Sequence, residues 1–269
     1  MKALSRLYIF LIIFFLYAPL LVMIFFSFNS SNSTAIFEGF SFQWYVELFN
    51  DAQTTTALSN TLLLAVTSSV IATVFGTATA VGLYYTKNNL LKKTSMTVTN
   101  IPMMAPDIVT GISLMLLFIF AGKMLALKNA LGFGTLLIAH VIFNLPYVIL
   151  SVLPKLKQTD KFLFEAAQDL GCPPVSAFWH AVLPNITSGI VTGFIMAFTL
   201  SLDDFVISYF TTGAEFQTLP IRIFSMTKKR VTPDMYALST IIFAAVLILL
   251  FLLNIAQSRS DNKSRRKSN

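Results

Sequence analysis

Long uncharged apolar runs recur along the chain, separated by short polar segments that hold most of the charge. About 20 apolar residues suffice to cross a bilayer as a helix. Residues 7–28 reach that length without one charged side chain. Five further runs follow: residues 61–85, rich in Thr, Ala and Gly; 98–121, interrupted by Pro102, Pro106 and Asp107; 135–153, with His140 and Pro146; 186–212, with Asp203 and Asp204; and 236–256. The run 98–121 is the least regular, and its part after Pro106 spans if the bilayer thins a little. Residues 7–28 follow Lys2 and Arg6 as a signal peptide would. They are too long for a signal's apolar core and lack a small-residue cleavage site, so they read as an uncleaved first span. The pattern predicts an all-α integral membrane protein with six transmembrane helices.

Composition agrees. Hydrophobic residues make up 55% of the 269 and charged residues 12%, about half the ~25% of soluble domains. The organisation expected is a first span with an external interfacial segment (residues 1–57), a membrane domain (58–256) and a basic cytoplasmic tail (257–269). With both termini inside, 13 of the 19 Lys and Arg residues fall on the cytoplasmic side, as the positive-inside bias requires. The other six are Lys123, Lys128, Arg222, Lys228, Lys229 and Arg230. Four of these crowd into the stretch 222–230, which the bias does not explain. The net charge of +7 flanks apolar runs, so the lipid bilayer, with its anionic inner leaflet, is the expected partner and not nucleic acid. The lone Cys172 excludes an intrachain disulfide and a cysteine metal cluster. His140 and His180 lie in different segments without ligand spacing, so no metal site is expected.

Two connections look structured. Phe42, Tyr45, Val46 and Phe49 fall at helical spacing, predicting a short interfacial helix with Trp44 and Tyr45 at headgroup depth. Residues 155–185 are amphipathic. Thr159 or Asp160 is placed to cap a helix running from Lys161, and Gly171 to end it. Pro173 and Pro174 start a second short helix, which Pro184 closes before the next span. Such an elbow suits docking into a cleft of another protein.

The elbow also carries a resemblance. Glu165-Ala-Ala-Gln-Asp-Leu-Gly171, then nine residues, then Ala-Val-Leu-Pro184, resembles the EAA coupling loop of binding-protein-dependent ABC importer permeases. Glu165, Ala166, Ala167, Gly171, Leu183 and Pro184 match that pattern, and Ala181 departs from its usual Ile. The resemblance implies a MetI-like transmembrane domain over residues 58–256, with Ser59-Asn-Thr-Leu62 near its start. It implies that the elbow sits in a groove of a cytoplasmic ATPase. It implies as partners a second permease subunit in a heterodimer, two ATPase copies and an external solute-binding protein. ATP and Mg would belong to the ATPase, with no cofactor on this chain. No G-x-x-x-x-G-K-[ST] loop occurs in the sequence.

Carboxylates within a span ask for a reason, because a charge near the bilayer centre costs about 2.5–3.5 kcal/mol on insertion scales. On a continuous helix Asp203 and Asp204 point about 100° apart. Asp204 would share a polar stripe with Ser201, Ser208 and Thr211, suited to a watery pathway for a cationic substrate; Asp203 would make a structural hydrogen bond at an interface. Internal satisfaction of both is the competing reading. Asp107, after Pro106, either faces the same cavity or is favoured simply by a helix N-terminus. The segment 201–213, with Thr218-Leu-Pro-Ile-Arg-Ile223 and residues 232–240, is similar to the spermidine/putrescine branch of the family. That likeness implies polyamine transport. Import of another solute (iron, sulfate or phosphate) stays open, as do a proton-driven secondary transporter and a membrane enzyme using Asp203, Asp204 and His140.

Overall fold

The computed structural model describes residues 2–31, 36–127, 129–228, 233–248 and 251. The basic tail expected at 257–269 lies outside them, as do Lys229 and Arg230 of the basic loop. The described residues form helices joined by short loops: α1 Lys2–Phe26, α2 Gln43–Asn50, α3 Ala52–Tyr85, α4 Asn89–Met104, α5 Asp107–Met124, α6 Phe133–Gln158, α7 Leu163–Asp169, α8 Pro174–Ala177, α9 Leu183–Asp203, α10 Val206–Thr211 and α11 Leu219–Thr227. A twelfth, α12, covers Pro233–Ile248. Five helices are long and apolar enough to span: Arg6–Phe26, Ala52–Tyr85, Asp107–Met124, Phe133–Gln158 and Pro174–Asp203. Where the sixth span is expected, α12 is apolar but shorter, and most of residues 249–256 lie outside the described set.

The structure changes the third and fifth spans. The third begins at Asp107, not at Val98: Ala105 takes φ −77°, ψ 141° before Pro106, the extended geometry that a following proline imposes. Residues 89–104 form the separate helix α4, none of whose residues is fully buried and whose cap is Asn88 accepting from the amides of Leu90 and Leu91 at 2.9 and 3.2 Å. The fifth span is broken as well. Helix α9 ends at Asp203, Asp204 is extended (φ −62°, ψ 123°) and α10 begins at Val206.

Contacts divide the chain into two compact units. One holds Met1–Thr56 and Arg222–Phe251. Within it, Asn29 closes the turn after α1, its Nδ2 donating to the Ile36 carbonyl at 2.7 Å and its Oδ1 accepting from the Glu38 amide at 3.0 Å. The Trp44 indole donates to the Asn29 carbonyl at 2.6 Å, and Tyr45 shares a 2.7 Å hydrogen bond with Ser27. The short helix α2 is therefore where the periodicity puts it, but turned: Trp44 and Leu48 are buried, while Phe42, Val46 and Phe49 are exposed. A buried indole N–H needs a partner, and the Asn29 carbonyl draws that face inward.

The other unit, centred on Ala57–Ile221, is built around α6. Its core joins Ala72, Ala80 and Leu83 of α3 to Val148, Ile149, Val152 and Leu156 of α6 and to Ile186 and Ala197 of α9. Glycines set the spacing. A Cβ on Gly76 would stand 2.6 Å from Val148 Cγ1. One on Gly189 would stand 2.9 Å from the Ser151 carbonyl, and one on Gly193 3.1 Å from Val148 Cα. The small-residue spacing Gly189-x-x-x-Gly193 is thus the seam between α6 and α9, as close helix packing in lipid requires. Asn60 and Thr61 fasten α3 to the start of α11, through the Gln217 carbonyl at 3.1 Å and the Leu219 amide at 2.7 Å.

Two of the four clustered basic residues have local partners. Lys228 Nζ lies 4.7 Å from the Phe224 ring centre. Arg222 donates to Asp51 Oδ2 at 3.1 Å. Asp51 also accepts from the Thr54 hydroxyl at 2.5 Å and the Gln53 amide at 3.0 Å, capping the start of α3. The Thr54 hydroxyl above all, then Gln53 and Arg222, holds the Asp51 carboxyl below its usual range against the opposing effect of partial burial. The folded-state pKa is thus lower than the unfolded one, near 4. The cap stabilises the fold above that value and loses its contribution as pH falls through the lower, folded-state value. We expect Asp51→Ala to cost about 1 kcal/mol at neutral pH. Thermal melts of intact and variant protein in detergent should show that gap at pH ~7 and its narrowing below pH ~4; a gap independent of pH contradicts the assignment.

Candidate functional site: a polar centre at two helix breaks and a protruding elbow

The breaks at 105–106 and 204–205 precede neighbouring helices, because α5 packs on α10. Gly111 makes this possible: a Cβ there would stand 2.9 Å from Phe210 Cδ2 and 3.5 Å from the Val206 carbonyl oxygen. Ala139, Phe143 and Ile207 form the local core, with Leu114 and Phe118 packed against it. Asp107 is the first residue of α5, is exposed, and lies near enough for its charge to act on Asp204 and on Tyr147.

Breaking a helix inside a membrane leaves backbone N–H groups that neither lipid nor water can satisfy. At the α9–α10 break Asp204 meets this demand. Its carboxylate accepts from the Ser208 amide at 2.7 Å and from the Ile207 amide at 3.3 Å. Behind it stands His140 of α6, its Nε2 3.0 Å from Ser208 Oγ and 3.6 Å from Asp204 Oδ2. The other ring nitrogen, Nδ1, lies 3.0 Å from Ser201 Oγ. Ser201 also accepts from Asn144 Nδ2 at 2.6 Å and contacts Ser68 Oγ of α3 at 2.9 Å. Four elements therefore converge on one buried polar cluster; the His140 side chain is 1% exposed and that of Asp204 8%.

The cluster gathers Asp204, Ser208 and Ser201 on one side of the chain, as helical spacing suggested, while Thr211, the fourth member of that stripe, is buried with its hydroxyl on the Ile207 carbonyl. Their setting differs from the expectation. The stripe faces α6 and is internally bonded, while Asp203, at the end of α9, is exposed. The difference follows from the break, since the turn at Asp204 rotates its side chain inward to cap α10. Reading the motifs alone missed His140, Asn144 and Ser68. The signal available was His140 and Asn144 at i and i+4 within an apolar run, a polar pair on one helix face that lipid does not tolerate unpaired.

The second feature is the elbow after α6. Helix α7 begins at Leu163, two residues later than expected, because the Asp160 carboxylate accepts from the Phe162 amide at 3.0 Å and makes a turn of residues 160–162. Its end is a full Schellman closure: the Cys172 amide donates to the Ala167 carbonyl at 3.1 Å and the Gly171 amide to Gln168 at 2.8 Å. Gly171 sits at φ +85° with no atom within reach of an added Cβ. Pro184 does not separate the elbow from the span. The helix runs on from Pro174 to Asp203 through a π turn, Phe178–Val182, in which the Leu183 amide donates to the Phe178 carbonyl. The wider turn relieves the clash between a proline ring and the carbonyl four residues back. Glu165 and Ala166 are exposed, Ala167 half-buried. Around them Phe162, Leu170, Val175 and Trp179 are 69%, 88%, 70% and 59% exposed, an apolar surface with no cover among the described residues. Phe164 anchors the elbow from below, its ring 5.6 Å from that of Tyr85 at the end of α3.

At the opposite end of α6, residues 129–133 and 212–216 line an open cavity of about 940 Å³. Gly213 approaches closely there, a Cβ falling 2.5 Å from the Leu131 carbonyl oxygen. Thr135 Oγ1 donates to the Thr211 carbonyl at 3.0 Å, tying the rim of α6 to α10.

Comparison with known proteins gives a consistent result. A family described as the binding-protein-dependent transport system inner membrane component matches residues 72–266. The spermidine/putrescine transport system permease protein PotC of Haemophilus influenzae is 35% identical over 255 residues, 95% of this chain and 96% of that one. PotC of Escherichia coli K12 is 37% identical over 256 residues, covering 95% and 92% of the two chains. The putrescine transport system permease protein PotI of the same organism is 36% identical over 252 residues, covering 94% and 90%. Among solved structures, a bacterial ABC transporter involved in import of the acidic polysaccharide alginate superposes with a TM-score of 0.74 at 17% identity, covering 96% and 95%. An amino acid ABC transporter gives 0.57 at 19% identity, covering 80% and 98%. At these identities the two structures speak for the fold alone.

The elbow's closure depends on one backbone conformation. Gly171→Ala has space for its methyl group but must hold a left-handed backbone, at a cost of about 1 kcal/mol. Amide exchange around residues 167–172 should then accelerate roughly fivefold with the membrane helices unaffected. Unchanged exchange would show that the closure contributes nothing.

Proposed function

Because the chain belongs to the binding-protein-dependent transport system inner membrane component family, a family of transport subunits and not of enzymes, we propose that it forms one half of the membrane pathway of an ATP-driven importer of polyamines such as spermidine and putrescine. The observation that carries the substrate class is the likeness over more than nine-tenths of its length to permeases of spermidine and putrescine systems. The chemistry of the helix breaks fits that cargo. Asp107 and Asp203 are exposed carboxylates beside the join of α5 and α10, and a flexible polycation crossing a low-dielectric layer needs such groups to lower its barrier. Asp203 meets the cation, Asp107 extends the acidic surface, and Asp204 with Ser208 holds the break in shape from behind.

The elbow couples this pathway to ATP. Glu165 meets a basic residue of a cytoplasmic ATPase, Ala166 and Ala167 allow close approach, and Gly171 sets the elbow angle. Leu183 and Pro184 lie where the elbow becomes the fifth span, so motion of the elbow passes into α9 without a flexible joint. The exposed Phe162, Leu170, Val175 and Trp179 supply the apolar contact. Two ATPase copies bind ATP and Mg. A second permease subunit completes the pathway, and an external solute-binding protein delivers the polyamine at the cavity beyond α6. The chain sits in the cytoplasmic (inner) membrane with both termini inside, so that elbow and ATPase share a side.

Uptake of labelled spermidine and putrescine in cells lacking other polyamine importers tests this. Cells with the intact chain and its partners should accumulate polyamine. Glu165→Lys, still present in the membrane, should cut uptake by tenfold or more, roughly what losing a desolvated charge pair costs. Asp203→Asn should slow uptake roughly tenfold, as expected where a focusing charge is removed. Accumulation of sulfate, phosphate or iron in place of polyamine would move the chain to another branch; normal uptake with Glu165→Lys would refute the coupling role.

A further inference from the structure

The buried cluster at the α9–α10 break has a polarity that can be traced atom by atom. Asp204 accepts from two backbone amides, one on each oxygen, so it acts as an acceptor-only carboxylate. His140 Nε2 stands 3.0 Å from Ser208 Oγ and faces that carboxylate, toward which a hydrogen is favoured and a bare lone pair is not. Nε2 therefore carries hydrogen. The 3.6 Å from Nε2 to Asp204 Oδ2 exceeds a charge-assisted hydrogen bond of roughly 2.7–2.9 Å, so this N–H is directed at the serine and not at the carboxylate. A neutral ring then leaves Nδ1 bare, and the Ser201 hydroxyl at 3.0 Å donates to it. Ser201 in turn accepts from the Asn144 amide at 2.6 Å. One ring thus bonds a residue of α9 with one nitrogen and a residue of α10 with the other.

We propose that His140 is a positioning residue, a neutral imidazole in the Nε2–H tautomer that staples α9 to α10 across the break and so fixes both the inward cap Asp204 and the outward carboxylate Asp203. The staple rests on the reading of the break as part of the transport pathway. Its geometry explains why a histidine is needed: serine hydroxyls on two helix segments lie on opposite sides of one ring, and no aliphatic side chain spans them with an acceptor at one end and a donor at the other. The charged groups facing the ring are few. Among the described residues these are Asp204 at the break and, through it, Asp107 of α5, while α6 and α3 add the uncharged Asn144 and Ser68 by way of Ser201. A second proton on the ring would remove the acceptor that Ser201 uses and break the chain at Nδ1.

Two measurements on the complete transporter test this. The first is the nitrogen NMR signal of His140, identified as the one absent from a His140→Gln sample, in membranes without solute. Neutral Nε2–H at pH ~7 is expected; the Nδ1–H tautomer or an imidazolium overturns the proposal. The second compares uptake by His140→Ala and His140→Gln. The Gln amide reproduces the donation to Ser208, so His140→Gln should retain about a third or more of the maximal rate while His140→Ala falls roughly tenfold, with the half-saturating polyamine concentration unchanged in both. Equal rates for the two variants, or an intact rate in His140→Ala, overturn the staple. If the intact transporter carries no polyamine, the substrate reading fails, and the NMR result still decides the tautomer.

Discussion

A helix cannot be interrupted inside a bilayer unless the chain itself bonds the amides the interruption sets free, since lipid offers no hydrogen-bond partner. The polar arrangement of this protein's larger unit answers that demand. The α9–α10 break releases the amides of Ile207 and Ser208, and Asp204 takes both. A carboxylate held there needs polar company, which His140, Ser208, Ser201, Asn144 and Ser68 supply from α3, α6, α9 and α10. The glycines carry the same demand into packing. Without Gly111 against Phe210, and Gly189 and Gly193 against α6, the helices would stand too far apart for those side chains to meet.

Helix α6 links the parts of the site. It holds His140 and Asn144 at its middle, borders the open cavity at its start and leads into the elbow at its end. Twenty-six residues give it a length of about 39 Å. Beside it, the helix from Pro174 to Asp203 joins the elbow's second half to the break without a loop, by way of the π turn. Under the proposed coupling, a displacement at the elbow would pass along this continuous helix to the residues around Asp203. This is the mechanical content of a coupling role, and it gives Pro184 a place: a proline at the start of α9, against a turn wide enough to seat it.

Much of this was legible in the sequence, and the failures have physical causes. Apolar runs located the long helices because lipid imposes a length on them. The elbow was legible because Gly171 and the proline pair at 173–174 have few other uses. The fifth span was read as continuous because hydropathy does not register a break whose amides are capped from within, whereas Pro102 and Pro106 marked the third as interrupted. With that break unseen, the directions of Asp203 and Asp204 could not be assigned: helical spacing puts them 100° apart on one rod, whereas the structure puts one outside and one inside. Trp44 was misplaced for a similar reason, its indole being drawn inward by the Asn29 carbonyl, a contact between segments that no local period encodes. His140 and Asn144 were visible as polar intrusions, but their serine partners lie 57 to 68 residues away in the chain.

The central claim is that the exposed side of the α9–α10 break, marked by Asp203, lies on the route of the transported cation. It is tested most directly with Asp203→Cys in a Cys172→Ser background, assembled with its partner subunits and labelled by a small positively charged thiol reagent. The account predicts labelling from the aqueous phase that saturating spermidine with its binding protein suppresses, and that changes when ATP is supplied. Labelling indifferent to spermidine and to ATP, or absent in every state, would contradict it.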